Sequence, residues 1–412
     1  MKILIYGINF SPELTGIGKY TGEMAFWLAS KGHDVRVIAS PPYYPMWKVA
    51  DGYSGRKYAY EQVDGISIWR IPTWVPKKQT GLNRIIHLVG FSIASFPVLI
   101  RQVFWRPNVI WLAVPAFSCA PGVLLAKLFF NPKTWIHIQD YEIDAAFNMG
   151  LIKGNLLKKI ISNFERFLLK KFDVVSSISD QMIALAIKKG VAPNKLVSLP
   201  NWVDFQSTFF TTRSASAPQN LRREFGIPAD QLVALYSGNI GNKQGMELIS
   251  NVAKLAEKDN ILFVICGDGA GKKSLVDECT GLLNVLFFPL QPREKLGALL
   301  SMADIHLLPQ RDNVADLVMP SKLTGIFASG RPVIATAKGG SSLEMIISGC
   351  GLVVPPNSPC LFYDALIKLT SDAELRNNLG LAARKFAEVN LDKEIIMENF
   401  NTKLSELVGY NL

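Results

Sequence analysis

The chain reads as an α/β protein of two domains, each built on a parallel sheet. Three observations carry that reading. Apolar runs of strand length alternate with helix-length amphipathic stretches along almost the whole sequence, the pattern that lays helices over parallel strands. Two of the strand-to-helix turns are studded with glycine, one in the first twenty residues and one at Leu235–Glu247 (LYSGNIGNKQGME). At 412 residues the chain is long for a single core, and two domains of roughly 200 residues fit the usual size.

In chain order, Lys2–Phe10 (KILIYGINF) is an apolar strand, SPELTGIG a glycine loop and Tyr20–Ser30 a helix. Asp34–Ser40 closes the first βαβ unit. The following PPYYPMW, Pro41–Trp47, holds too much proline for a helix and reads as a loop at the end of that strand, either stacking on a sugar ring or packing onto the domain surface. Ile66–Pro72 is a further strand. Val109–Val114, Ala120–Phe130 and Thr134–Gln139 then read as strand, helix and strand, with QDYEID at the open end. A basic helix runs from about Leu156 to Lys171, and Asp173–Ile178, Asp180–Lys189 and Leu196–Pro200 complete the first domain. Asp204–Pro218, rich in Ser, Thr and Phe, reads as the linker, and strand–helix alternation resumes at Leu232. The expected domains are residues 1–203 and 204–391, with 392–412 a helix packing back on the first.

Leu82–Phe104 is the most apolar helical stretch. Its longest uncharged run, Ile85–Ile100, contains His87 and Pro97 and has sixteen residues, fewer than the roughly 20 needed to span a bilayer. With Arg84, Arg101 and Arg106 around it, the segment is expected to lie on an anionic membrane surface, the alternative being a buried core helix. The net charge of +10 implies an anionic partner, and nucleic acid, acidic lipid and phosphorylated substrate all satisfy it. Five cysteines without CxxC or Cys/His spacing read as reduced thiols, and an amino terminus that enters a strand directly points to the cytoplasm.

The turn at Leu235–Glu247 has the parts of a phosphate cradle. Gly238, Gly241 and Gly245 let the backbone approach a ligand, the next helix presents N–H groups, and Lys243 adds a positive charge. A tight βα turn with an exposed Lys is the plainer reading. The first glycine loop repeats the arrangement, and two such loops in separate domains suggest a nucleotide-sugar enzyme. A dinucleotide-dependent dehydrogenase fits poorly, since GINFSPELTGIG is not G-x-G-x-x-G and the second strand ends Ala39-Ser40-Pro41 without an acidic residue.

The chain resembles the retaining GT-B glycosyltransferases of family 4. The resemblance is carried by KILIYGINFSPELTGIGKYTGEMAFWLASKGHDVRVI, PPYYP, HIQDYEID, PNW, YSGNIGNKQG, and PSKL followed by ASGRPVIAT. It implies two Rossmann-like domains facing a cleft, with the donor diphosphate on the second and the acceptor on the first. Within the family the stretches look like enzymes of capsule and exopolysaccharide assembly of the colanic acid type. That likeness implies fucosyl transfer from GDP-fucose to a lipid-linked oligosaccharide, with a UDP-sugar transferase of capsule or O-antigen assembly as the alternative. A nucleotide-sugar 2-epimerase and a non-catalytic sugar-nucleotide sensor stay open as rivals. The expected partners are the nucleoside-diphosphate sugar, the lipid-linked acceptor and an anionic membrane surface at the inner face of the cytoplasmic membrane, with no nucleic acid. No metal and no cofactor is expected, because the nucleotide sugar is itself the substrate.

The resemblance also implies residue roles. Gly16 and Gly18 match the loop that approaches the donor phosphates, and His137 matches a histidine placed beside the donor sugar, with Asp140 just after it. His137, Asp140 and Lys243 are the expected catalytic residues. Gly16, Gly18, Gly238, Asn239, Gly241, Arg311, Asp316, Ser321 and Lys322 are the expected donor-binding set. Two departures from the family pattern stand out. Where the family has Gly-Arg and then Lys-Gly, this chain has Gly238-Asn239 and Lys243-Gln244-Gly245, so Arg311 or Lys322 is expected to supply the second charge on the diphosphate. The family's glutamate pair falls on Leu317 and Gly325, leaving Asp316 as the nearest acidic substitute, while Glu344 keeps a family counterpart.

Overall fold

The structure, a computed structural model, describes all residues except 14–15, 79, 142, 145–146, 148–154, 206–209, 242–243, 312–319 and 410–412. The chain forms two compact units, Met1–Pro200 with Ile396–Leu412, and Asn201–Ile395.

The first unit holds an eight-stranded sheet in the order β3-β4-β2-β1-β5-β6-β7-β8. Its strands are β1 (Lys2–Tyr6), β2 (Asp34–Ala39), β3 (Ala59–Val63), β4 (Ile66–Arg70), β5 (Val109–Val114), β6 (Lys133–Ile138), β7 (Val174–Ser177) and β8 (Leu196–Ser198). β5 (VIWLAV) is buried at every position, as a strand covered on both faces must be. From β1 the chain winds outward through β2 and β4 on one side and, after β5, through β6 to β8 on the other. The order therefore reverses between β1 and β5, and a ligand site on such a sheet opens beyond the carboxyl ends of those two strands.

One pairing departs from the expected all-parallel sheet. β3 runs antiparallel to β4 as an exposed edge strand, joined by Asp64-Gly65 with both residues at positive φ. A two-residue Asp-Gly connection of that kind matches the twist of a hairpin, and it was the local signal for this strand. The helix Lys393–Val408 closes the unit: Met397, Phe400 and Leu404 are buried, the Phe400 ring meets Trp135 edge-on at 5.0 Å, and Asn401 bonds His33 at 2.8 Å.

The second unit holds a six-stranded parallel sheet in the order β11-β10-β9-β12-β13-β14. Its strands are β9 (Leu232–Asn239), β10 (Ile261–Asp268), β11 (Val285–Phe288), β12 (Ile305–Leu308), β13 (Val333–Thr336) and β14 (Gly351–Val354). Here the order reverses between β9 and β12. The expected linker Asp204–Pro218 is partly structured instead, since Pro218 lies in the first turn of the helix Ser216–Glu224, where proline's missing N–H is harmless. That helix is fastened by Arg222, fully buried, whose guanidinium donates to the carbonyls of Met302, Pro228 and Gln231 and to Asp304 at 3.0 Å.

Candidate functional site

The expected donor residues of the second unit gather beyond the carboxyl ends of β9 and β12. β9 and β10 stay paired to their last residues, Gly238 opposite Gly267 and Asn239 opposite Asp268. That approach is so close that a Cβ on Gly267 would sit inside the contact distance of the Gly238 carbonyl oxygen, and one on Gly269 would stand 2.5 Å from Asn239 Oδ1. Gly267→Ala is accordingly expected to cost about 2 kcal/mol or more, because backbone rather than a flexible side chain must move. Urea unfolding of the full chain checks this, together with a matching loss of nucleotide affinity.

Gly238 has φ +127°, a conformation other residues rarely adopt, and a Cβ there would stand 2.7 Å from Lys322 Cε. Lys322 opens the helix Lys322–Ala328, and Ser321 is the residue before it. The Lys322 ammonium reaches back over the Tyr236 ring, 3.8 Å from its centroid, and bonds the Tyr236 hydroxyl. Burial pushes its pKa down to about 7. A positive charge is thereby held against an aromatic face and a glycine, a short distance from the turn that carries Asn239 and Gly241.

Gly241 N donates to Gln244 Oε1 at 3.0 Å, which folds the turn on itself. Arg311 follows the end of β12, and its Cγ would lie 3.2 Å from a Cβ on Gly245. Its guanidinium bonds Glu247 at 2.8 Å with both side chains about half exposed, so it remains available to an anion at the modest cost of a surface pair. Gly238, Asn239, Gly241, Arg311, Ser321 and Lys322 thus surround one turn. Lys243 and Asp316 lie outside the described residues.

In the first unit, the organising group is one the sequence reading passed over. Glu13 is 5% exposed and accepts from Tyr43 N (3.1 Å), Tyr44 N (3.0 Å) and Asn9 Nδ2 (3.0 Å). Burial pushes its pKa up to about 7 against those hydrogen bonds. It therefore pins the Pro41–Trp47 loop to the first glycine loop. Gly18 is where the carboxylate passes: a Cβ there would stand 2.7 Å from Glu13 Cβ. Gly16 packs beneath Tyr44, with 3.4 Å between a Cβ and the ring. Arg70, at the end of β4, completes the clasp by donating to the carbonyls of Ser11 (2.6 Å) and Ser40 (3.1 Å) and to Glu61 (2.6 Å).

Asp140 lies just past β6, close enough to Tyr44 that its charge, after burial, helps raise the phenol's pKa. His137 lies one residue before the end of β6. It is 3% exposed, bonds Ser176 at 2.8 Å through Nδ1 and stacks on Trp111 at 5.4 Å. Burial holds its pKa down to about 3, so it is a neutral, partnered side chain of the sheet interior. Among the described residues no group of three or more His, Cys, Asp or Glu is arranged to hold a metal ion.

Comparison with known proteins agrees with this geometry. Residues 15–202 match the family model described as a glycosyl transferase 4-like domain, and residues 218–386 match glycosyl transferases group 1. The chain is 42% identical over 408 residues to a protein of Escherichia coli strain K12 named as the colanic acid biosynthesis glycosyl transferase WcaI, covering 97% of this chain and 98% of that one. Its fold is similar to sucrose-phosphate synthase from Thermosynechococcus elongatus, with a TM-score of 0.77 at 16% identity and full coverage of both chains. It is also similar to Anabaena Alr3699/HepE in complex with UDP-glucose, with a TM-score of 0.71 at 15% identity over 98% of this chain and all of that one. With two parallel-sheet units, both domain models in order and an end-to-end relative at this identity, the chain belongs to the GT-B glycosyltransferases.

Proposed function

We propose that the protein transfers a sugar, fucose from GDP-fucose, to a lipid-linked oligosaccharide during exopolysaccharide assembly of the colanic acid type, with retention at the anomeric carbon. The end-to-end relationship to WcaI supports the pathway. The observation that carries the chemistry is Lys322 held over Tyr236 beside Gly238, at the reversal point of the second sheet. As the glycosidic bond breaks, negative charge grows on the departing diphosphate. Lys322 and Arg311 are cationic donors placed for that charge, while the N–H groups of Ile240, Gly241 and Gln244 in the turn are already bonded within the protein. The departing phosphate then accepts the proton of the attacking acceptor hydroxyl on the same face, so the new bond forms with the old configuration. Asp140 and the Tyr44 loop would orient the acceptor, and the reaction would take place at the cytoplasmic face of the membrane.

Incubation with a panel of nucleotide sugars and a lipid-linked acceptor tests the reading by its product: a glycosylated lipid supports it, while sugar epimerisation or binding without turnover overturns it. The base is read separately. Polar groups on the loops after Cys266-Gly267-Asp268 and at Pro289–Pro292 are the proposed discriminators, and a mismatched base leaves buried donors unpaired. GDP is therefore expected to raise the unfolding temperature clearly more than UDP at equal concentration. A larger shift with UDP would remove the fucose assignment and leave glycosyl transfer standing.

A further inference from the structure

Three helices of the first unit, Gly81–Val103, Ala120–Phe130 and Asn155–Lys171, lie side by side in one layer. Gly122 brings the first two together, with Leu99 and Phe96 side-chain atoms 3.2 and 3.3 Å from where its Cβ would be. Lys127 joins the second to the third by donating to the Lys171 carbonyl at 2.9 Å. Phe104 meets Phe130 edge-on at 5.2 Å across one end. The inward faces are ordinary core, including Phe91, Leu99, Val123 and Leu169.

The outward faces are not ordinary surface. Leu128 is 75% exposed, Phe129 71%, Ile93 70% and Leu156 74%, and this layer carries about half of all the large exposed hydrophobic side chains in the described chain. A soluble monomer seldom exposes a contiguous apolar patch beyond roughly 300–600 Å². The charges on these helices are basic with one exception, and Lys127 among them pairs with Asp173 at 2.7 Å. Arg84, Arg101, Lys127, Lys158, Lys159, Arg166, Lys170 and Lys171 belong to these helices, and the one acidic residue among them, Glu165, is buried against Lys189.

We propose that this three-helix layer is the surface on which the protein sits on an anionic lipid leaflet. Gly81–Val103 is long and apolar enough to cross a bilayer by composition, but it is fastened to the sheet. Ser95 bonds Tyr6, Ser92 donates to the Ser118 carbonyl (2.8 Å) and Ser118 donates to the Leu88 carbonyl (3.0 Å). It therefore lies in the interface with its outer side chains in the acyl boundary and its basic groups at the headgroups. A second copy of this chain would bring the same basic groups into opposition, whereas phosphate headgroups neutralise them.

The layer also ends in the right place. Where the Gly81–Val103 helix begins, His87 packs between Tyr43 (4.9 Å) and Trp47 (5.5 Å) of the Pro41–Trp47 loop, and Arg84 lies over the Trp47 ring. A lipid-linked acceptor held in the leaflet would therefore meet that loop first. This use of the surface rests on the proposed glycosyl transfer; the docking itself does not.

Flotation of the full chain with vesicles tests the docking. With phosphatidylglycerol-containing vesicles at low salt the protein is expected to float, to detach as salt rises, and to ignore vesicles of phosphatidylcholine alone. The double variant Leu128→Glu with Phe129→Glu alters only exposed positions and is expected to lower the bound fraction roughly tenfold or more while keeping the wild-type unfolding temperature. Equal flotation of the variant, or none by the wild type at low salt, would overturn the proposal. So would a sedimentation shift from dimer to monomer caused by the variant, which would assign the face to a second copy. Donor turnover with a water-soluble acceptor is read in parallel, so a failure of glycosyl transfer and a failure of docking are distinguishable.

Discussion

Lys322→Met is expected to weaken binding of the nucleoside diphosphate by roughly 10- to 150-fold, the loss of one charge-assisted hydrogen bond worth about 1.5–3 kcal/mol. Methionine keeps the bulk over Tyr236 and removes the ammonium, so the variant also separates function from stability. A cation held out of water is unfavourable until its ligand arrives, and its removal should leave the unfolding temperature unchanged or higher. Titration calorimetry with GDP and UDP measures the first effect and thermal unfolding the second. A variant that binds as tightly as the wild type would move the diphosphate elsewhere on the turn.

The pH dependence has a definite sign. Burial holds the Lys322 pKa at about 7, below its ordinary value of 10.5, so the unliganded side chain is partly neutral at physiological pH. A diphosphate beside it favours the protonated form. Binding above pH 7 therefore takes up a proton, and affinity falls as pH rises through the window between the free and bound values. Calorimetry in two buffers of different ionisation enthalpy reads this uptake directly, and Lys322→Met should abolish it. For folding the same shift works the other way: the unfolded chain binds more protons between about pH 7 and 10.5, so this group's contribution to stability improves as pH rises through that range.

The alternation that announces two parallel sheets is a property of neighbouring residues, and it was legible. So was the Leu235–Glu247 turn, because glycine at a strand's end has few other uses. What the sequence hid is held together over long separations. Lys322 meets Tyr236 and Gly238 from more than eighty positions away, and only the closing of β9 beside β12 brings them to one place. Glu13 looked like an unremarkable loop carboxylate in SPELTGIG, since its partners Tyr43 and Tyr44 arrive with a different turn. His137 shows the limit of a local signal. A histidine near the end of a strand has the same sequence signature whatever its partners, and its contacts with Trp111 and Ser176 come from strands far away in the chain. The part that Ala120–Phe130 plays in the apolar layer was likewise obscured, because a short apolar helix shows which of its faces is bare only once it is packed.

Glu13→Ala is expected to destabilise the first unit by about 2–4 kcal/mol. The change removes one acceptor that serves the Tyr43 and Tyr44 N–H groups and Asn9, and a buried donor left unpaired costs about 1–3 kcal/mol before water or relaxation recovers part of it. Glu13→Gln keeps an acceptor oxygen and should cost less than about 1.5 kcal/mol. Because burial raises the Glu13 pKa to about 7 from 4.5, the folded protein holds a proton there that the unfolded chain has released. The stability this contributes is complete below about pH 4.5 and is lost as pH rises through 7. Wild type should therefore lose unfolding temperature relative to Glu13→Gln between pH 5 and about 7.5. The loop that Glu13 pins is the proposed acceptor side, so Glu13→Ala should also raise the KM for the acceptor more than the KM for the donor. An unfolding temperature for Glu13→Ala equal to that of the wild type across this range would show that the carboxylate does not hold the two loops together.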